Sequence, residues 1–410
     1  MGELTRALPK GVSLDTGTRL ERTCPNCHSN GLQIFYRVDD IPVHSCLLIT
    51  DKEEALACPK ANLQLGFCDS CGFITNTQFD PSVHNYSAEY EETQGFSPRF
   101  NAFARSLAQR LVEKYDIHGK TILEIGCGKG EFLTLMCELG NNRGIGIDPA
   151  FAPERNPAAA GTQIEFIQDF YSERYADMEA DVICCRHTLE HIAPTSEFIR
   201  LIRNAIGKRT DTLVFFEVPD MMRVLREGAF WDIYYEHCSY FTTGSLARLF
   251  RSAGFKIDDL YLDYDDQYIM ITAYPTDSPT LASLNTESDM QASMLAREEF
   301  TESCSNRMNW WRTTLEQWMT SGRKVVLWGS GSKAVAFLTT LKPTDQIEYV
   351  VDINPYKQGR YIPGTGQKIV SPGFLREYRP HIGIVMNPVY RDEIQLSLAK
   401  MNVSPKLVTL

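Results

Sequence analysis

The sequence has no apolar run long enough to span a bilayer and no signal-peptide pattern at its start, so a cytoplasmic protein with no membrane partner is expected. It has no lysine or arginine run, and 52 acidic against 41 basic residues leave a net charge of −11. A phosphate backbone asks for a basic face, so nucleic acid is excluded as the expected substrate. No G-x-x-x-x-G-K-[ST] run is present, and NTP hydrolysis is therefore not supported. Cysteine is not lacking: there are twelve, which without a secretory signal fit a reducing compartment where clustered thiols bind metal more often than they form disulfides. The 410 residues are too many for one compact core and suggest two or three domains.

The most informative stretch runs from Thr121 to Gly130. It reads as a buried strand, Thr121 to Ile125, then a turn with glycine at alternate positions, then a helix from about Glu131. Glu124 at the strand end and the spacing of Gly126, Gly128 and Gly130 differ from the dinucleotide G-x-G-x-x-G fingerprint. The pattern resembles motif I of the class I S-adenosylmethionine (SAM) methyltransferases. A second strand ends in Asp148, about twenty residues beyond the glycines, where a carboxylate reaches ribose hydroxyls in a doubly wound sheet. A third is followed by Asp169-Phe170, where the resemblance implies that a carboxylate and an aromatic face hold the adenine. A fourth, Asp181 to Cys185, leads into His187, which joins the cofactor set, and a fifth, Thr212 to Val218, ends at Pro219. The expected fold class is α/β: a class I SAM-methyltransferase Rossmann-like sheet, flanked by a small zinc-binding domain and a second Rossmann-like C-terminal domain.

Cys24-Pro25-Asn26-Cys27 and Cys68-Asp69-Ser70-Cys71 form two C-x-x-C knuckles. Two residues between cysteines let one tight turn aim both sulfurs at one ion, and two such turns complete a tetrahedral thiolate set suited to Zn²⁺. Four thiolates leave no open position, so the expected zinc is structural. Cys46 and Cys58 lie between the knuckles and read as free thiols, with a substitution into the ligand set as the alternative.

The expected domains are 20–85 for the zinc module, 86–275 for the methyltransferase core, 276–320 for a linker and docking helix, and 321–410 for the C-terminal unit. Within the core, Pro98 to Lys114 has helical periodicity, and strands over 256–262 and 268–274 complete the sheet with an antiparallel edge. The helix from about Asp289 to Met319 carries Cys304, Met308, Trp311, Leu315 and Trp318 on one stripe, read as a docking face within the chain. From Arg323 the strand–glycine turn–helix pattern restarts, and Gly329-Ser330-Gly331 offers a helix start able to bind a phosphate through backbone N–H groups.

After the fifth strand, the insertion Asp220 to Tyr240 falls at the carboxyl end of the sheet, beside the methyl donor. His237 can take a proton near neutral pH, Glu236 can orient it or hold a substrate hydroxyl, and Tyr234 can donate to an oxyanion. A hydrogen-bonding corner of the core is the alternative reading of the same residues. The order of zinc module, SAM core, Tyr-Tyr-Glu-His-Cys-Ser-Tyr-Phe and final unit resembles the three-domain sugar C-methyltransferases of deoxysugar pathways. The last unit carries the stretches Val351 to Pro355, Lys357 to Gly359 and Tyr361 to Gly364. The resemblance implies that His237 is the base for a carbon next to a 4-keto group, that Tyr234 stabilises the enolate, and that the final domain holds the nucleotide part of the substrate. Two segments depart from that family: Tyr90 to Gln94 replaces a Tyr-x-Tyr-x-Ser type segment, and Val385 to Tyr390 replaces an Ala-Trp-Asn run. The expected partner is thus a small-molecule acceptor, a nucleotide sugar or a small acid, in a monomer or loose homodimer. O-methylation on the same scaffold is the alternative, and a non-catalytic SAM-binding protein is disfavoured by the intact glycine motif.

Overall fold

The computed structural model describes residues 8–14, 17–83, 89–156, 163–278, 281, 284–343 and 346–410. Tyr86, Ser87 and Ala88 of the polar-aromatic segment and parts of the N-terminal tail lie outside these.

The N-terminal sheet contains β1 (Val12–Ser13), β2 (Arg19–Thr23), β3 (Asn30–Pro42), β4 (Lys60–Phe67) and β5 (Ile74–Asn76). Helix α1 (Lys52–Ala57), capped by the Asp51 carboxylate on the Glu54 N–H, joins β3 to β4. The chain then enters α2 (Pro98–Lys114), where Ser97 caps the first turn and proline fills the first helical position.

Seven strands form the central sheet: β6 (Thr121–Ile125), β7 (Arg143–Ile147), β8 (Ile164–Ile167), β9 (Val182–Arg186), β10 (Leu213–Pro219), and, beyond the two-residue β11 (Ser239–Tyr240), β12 (Phe255–Asp263) and β13 (Tyr268–Pro275). Their order is β12-β13-β10-β9-β6-β7-β8. Strands β6 to β10 are parallel, while β13 pairs antiparallel with β10 and β12 with β13. The strand order reverses between β6 and β9, and this switch point places a ligand crevice at their carboxyl ends. Ile122, Leu123 and Ile125 are almost wholly buried, each such side chain contributing about 1.5–3 kcal/mol. This is the class I SAM-methyltransferase sheet expected from the sequence.

A second parallel sheet follows, built from β14 (Val325–Trp328), β15 (Ile347–Val351), β16 (Lys368–Val370), β17 (Ile382–Val385) and β18 (Lys406–Thr409) in the order β16-β15-β14-β17-β18. It repeats the loop chemistry of the first. Asp148, after β7, accepts from the N–H groups of Gly128 (2.8 Å) and Ala150 (2.7 Å). Asp352, after β15, accepts from those of Ser330 (2.9 Å) and Asn354 (2.8 Å).

Two features were not legible in the pattern. The insertion contains a helix, Met221–Glu227, capped by Asp220. Strand β11 leaves the core and pairs antiparallel with β5, so Ser239 faces Thr75 and Tyr240 faces Ile74. The long helix spans Met290–Thr320, with Cys304, Met308, Trp311 and Leu315 buried and Trp318 partly so. That stripe belongs to one continuous apolar cluster running from Phe35 and Tyr36 through Phe230 and Trp231 to Val325 and Ile384.

Candidate functional site

A cavity of about 1040 Å³ opens at the switch point of the central sheet and extends to the glycine turn of the C-terminal sheet. Its donor side is the loop after β6. Gly126 (φ +71°) and Gly128 (φ +54°) adopt left-handed backbone, and a Cβ on Gly126 would stand 2.0 Å from the Thr188 hydroxyl. Glu124, Gly126, Gly128 and Asp148 all line the cavity. Burial raises the Glu124 carboxyl to about 8, and its Oε2 has no hydrogen-bond partner among the described residues. Asp169 and Phe170 line the far wall. The Tyr175 hydroxyl (2.5 Å) and the Phe170 N–H hold Asp169 below the usual carboxylate range, and the Phe170 ring is 59% exposed, leaving a free aromatic face. Gly130 does not line the cavity; its φ of +78° starts the helix Glu131–Gly140 against the Phe166 ring.

His187 also lines the cavity, with Nε2 3.0 Å from Glu217 and Nδ1 3.6 Å from Glu190. Burial opposes its charge, but the two carboxylates outweigh it and lift the imidazole to about 9. Arg186 completes the cluster by donating to the other Glu217 oxygen while its guanidinium lies 4.0 Å over the Phe132 ring.

On the acceptor side, His237 and Tyr234 line the cavity with ring centroids 4.2 Å apart, and the His191 ring stands 4.8 Å from His237. Burial, then the neighbouring histidines, push His237 well below 6.5, so it is neutral at neutral pH. Glu236 is placed elsewhere. The turn at Tyr235-Glu236 carries it off the cavity wall, where it takes a hydrogen bond from Ser45 and pairs with His44 Nδ1 at 3.3 Å. The carboxylate beside His237 is Glu190, one oxygen of which lies with ring nitrogens of His191 and His237 inside a 4.8 Å cluster, and its Oε2 is buried without a hydrogen-bond partner among the described residues. His191 Nδ1 is 3.1 Å from the Glu236 carbonyl, which fixes its ring.

Sequence reasoning missed Lys129, Lys333 and Lys357. Lys129 is buried and donates to the carbonyls of Tyr90 (3.0 Å) and Ala150 (2.7 Å), tying the segment before α2 to the glycine loop. Its place inside the glycine motif was the available signal. Lys333 pairs with Asp232, which also takes Arg223 at 2.7 Å, and Lys357 is buried on the cavity wall. The two segments that depart from the sugar enzymes meet here: the Tyr390 hydroxyl donates to Gln94 Oε1 at 2.7 Å.

Away from the cavity, the sulfurs of Cys24, Cys27, Cys68 and Cys71 lie within 4.8 Å of one another, with Cys24–Cys71 at 3.8 Å and Cys27–Cys68 at 3.6 Å. Four thiolates about 2.3 Å from one ion would stand about 3.8 Å apart, so the set fits tetrahedral Zn²⁺. Cys46 and Cys58 are not in the cluster.

Comparison with known proteins agrees with this architecture. A methyltransferase domain model matches residues 96–260, and a C-methyltransferase C-terminal domain model matches 273–406. The C-methyltransferase NovU of Streptomyces niveus is 26% identical over 308 residues, 71% of this chain and 72% of that protein. Among solved structures, a 1,6-didemethyltoxoflavin-N1-methyltransferase from Burkholderia thailandensis with bound S-adenosylhomocysteine (SAH) is 20% identical, covering 45% of this chain and 83% of that one at a TM-score of 0.35. A magnesium protoporphyrin IX methyltransferase from Synechocystis PCC 6803 with bound SAH is 15% identical, covering 43% and 84% at a TM-score of 0.34. The two successive domain matches place the chain: it is a SAM-dependent methyltransferase in which a methyltransferase domain is followed by a segment similar to the C-terminal domain of C-methyltransferases.

Proposed function

We propose that the protein methylates a carbon next to the keto group of a nucleotide-linked deoxysugar, with His237 as general base. The observation that carries this reading is the neutral, buried His237 on the wall of the cavity that the glycine loop also lines. A carbon acid must lose a proton before it can be methylated, and a neutral imidazole held beside the acceptor position is suited to take it. Tyr234, in ring contact with His237, donates to the enolate oxygen that forms. The bound donor supplies an electrophilic methyl group. Glu124, Gly126, Gly128, Asp148, Asp169, Phe170 and His187 form the donor site, with Asp148 toward the ribose and Asp169 and Phe170 toward the adenine. Gly130 shapes the loop, and Glu236 acts through the backbone turn that presents His237.

The C-terminal sheet supports a nucleotide-bearing acceptor, because Gly329, Ser330, Ser332, Lys333 and Lys357 line the same cavity. The cysteine cluster holds a structural Zn²⁺ that staples β2–β3 to β4–β5. A carboxylate acceptor, the O-methylation reading, is already ionised and needs no base. His237→Ala therefore separates the two: carbon transfer should fall about 10²–10⁴-fold while SAH binding is kept. Retention of most of the rate would remove the base assignment.

A further inference from the structure

The segment Tyr90 to Gln94 lies outside the residues matched by either family model, yet it packs against the glycine loop. The Glu91 carboxylate accepts from Arg155 Nη2 (2.9 Å) and Asn354 (2.8 Å). The Thr93 hydroxyl donates to Glu131 (2.6 Å), and Gln94 accepts from Tyr390. Glu92 is the exception among these four. Its Oε2 is buried with no hydrogen-bond partner among the described residues, and its Oε1 stands 2.8 Å from where a Cβ on Gly128 would lie. Leaving a buried carboxylate oxygen unpaired is costly, and burial accordingly lifts this carboxyl to about 7. Its neighbours in the chain are clamped on both sides, to Lys129 and Arg155 of the core and to Asn354 and Tyr390 beyond it, so the side chain is held in place for a partner.

We propose that Glu92 is a binding residue for the methyl donor, accepting a hydrogen bond from one hydroxyl of the ribose diol while Asp148 accepts from the other. Both Asp148 oxygens already take a backbone N–H, from Gly128 and from Ala150, whereas Glu92 Oε2 is unpaired among the described residues. A diol offers two donors, and Glu92 reaches the same glycine that Asp148 holds and lines the same cavity. The donor site is thus completed by a side chain from the segment ahead of α2.

The test is calorimetric titration of wild type, Glu92→Ala and Glu92→Gln with SAH and with 5′-methylthioadenosine, which keeps the ribose but lacks the amino-acid part. Glu92→Ala should weaken both ligands about ten- to a hundredfold, as expected for a hydrogen bond to a charged group. With 2′,3′-dideoxy-methylthioadenosine, wild type and variant should bind alike. If Glu92→Ala does not fold, Glu92→Gln keeps the volume and is read against the same three ligands, with a loss of about severalfold on the two that carry the diol. Weakened SAH with unchanged methylthioadenosine would turn the carboxylate toward the amino-acid moiety and overturn the proposal. So would unchanged binding of both, or a loss that persists on the dideoxy ligand.

Discussion

His187, Glu217 and Arg186 carry the densest charge chemistry in the cavity, and their pH dependence is fixed by sign. Glu217 is buried, yet Arg186 and His187 hold its carboxyl down at about 2, so its contribution is present above about 4.5 and lost as pH falls through about 2. His187 is raised to about 9 by Glu217 and Glu190 against the cost of burial, so its contribution is present below about 6.5 and lost as pH rises through about 9. Glu124, raised to about 8, holds in the folded state a proton that the unfolded chain has released, which acts in the same direction. The urea midpoint of unfolding should therefore fall between pH 6.5 and 9, and His187→Gln should flatten that decline. A wild-type midpoint that rises over this window would contradict the assignment of charge. At this scale the sequence named His187 but not its partners, because Glu217 lies thirty positions away on β10 and meets it only through strand pairing.

At the scale of elements, legibility followed the range of the interaction. Local periodicity gave α2 and the strands that became β6 to β10 to within a residue or so. Strand β11 was invisible because two residues carry no period, and its partner β5 is more than 160 positions distant. The direction of Glu236 was hidden for the same reason, since it is set by His44 and Ser45 on the N-terminal side. The cysteine knuckles were legible because their spacing is itself the geometry. Purified protein should carry close to one zinc per chain by elemental analysis. Cys68→Ser should release it and lower the thermal midpoint, since the metal would tie the β2–β3 turn to the β4–β5 turn and the lost ligand sits in the core. Metal-free protein with an unchanged midpoint would remove the site.

At the scale of the whole molecule, the cavity belongs to no single sheet. The central sheet supplies the donor loop, the insertion returns through β11 to the N-terminal sheet, and the C-terminal sheet closes the far side, with one apolar cluster shared by the N-terminal sheet, the long helix and the C-terminal sheet. Contact between Gln94 and Tyr390 joins segments some three hundred positions apart into one wall, which is why the acceptor side was the least legible part of the sequence. Asn387 extends that wall by pairing its amide with Gln267. The most direct test of the account uses SAM with a carbon-13 methyl group and a nucleotide-linked 4-keto-deoxysugar, with the product read by NMR. A methyl signal bonded to the carbon beside the keto group, dependent on His237, is the expected result. A methyl group on oxygen, or no transfer to any keto sugar while a small carboxylic acid is methylated, would contradict it.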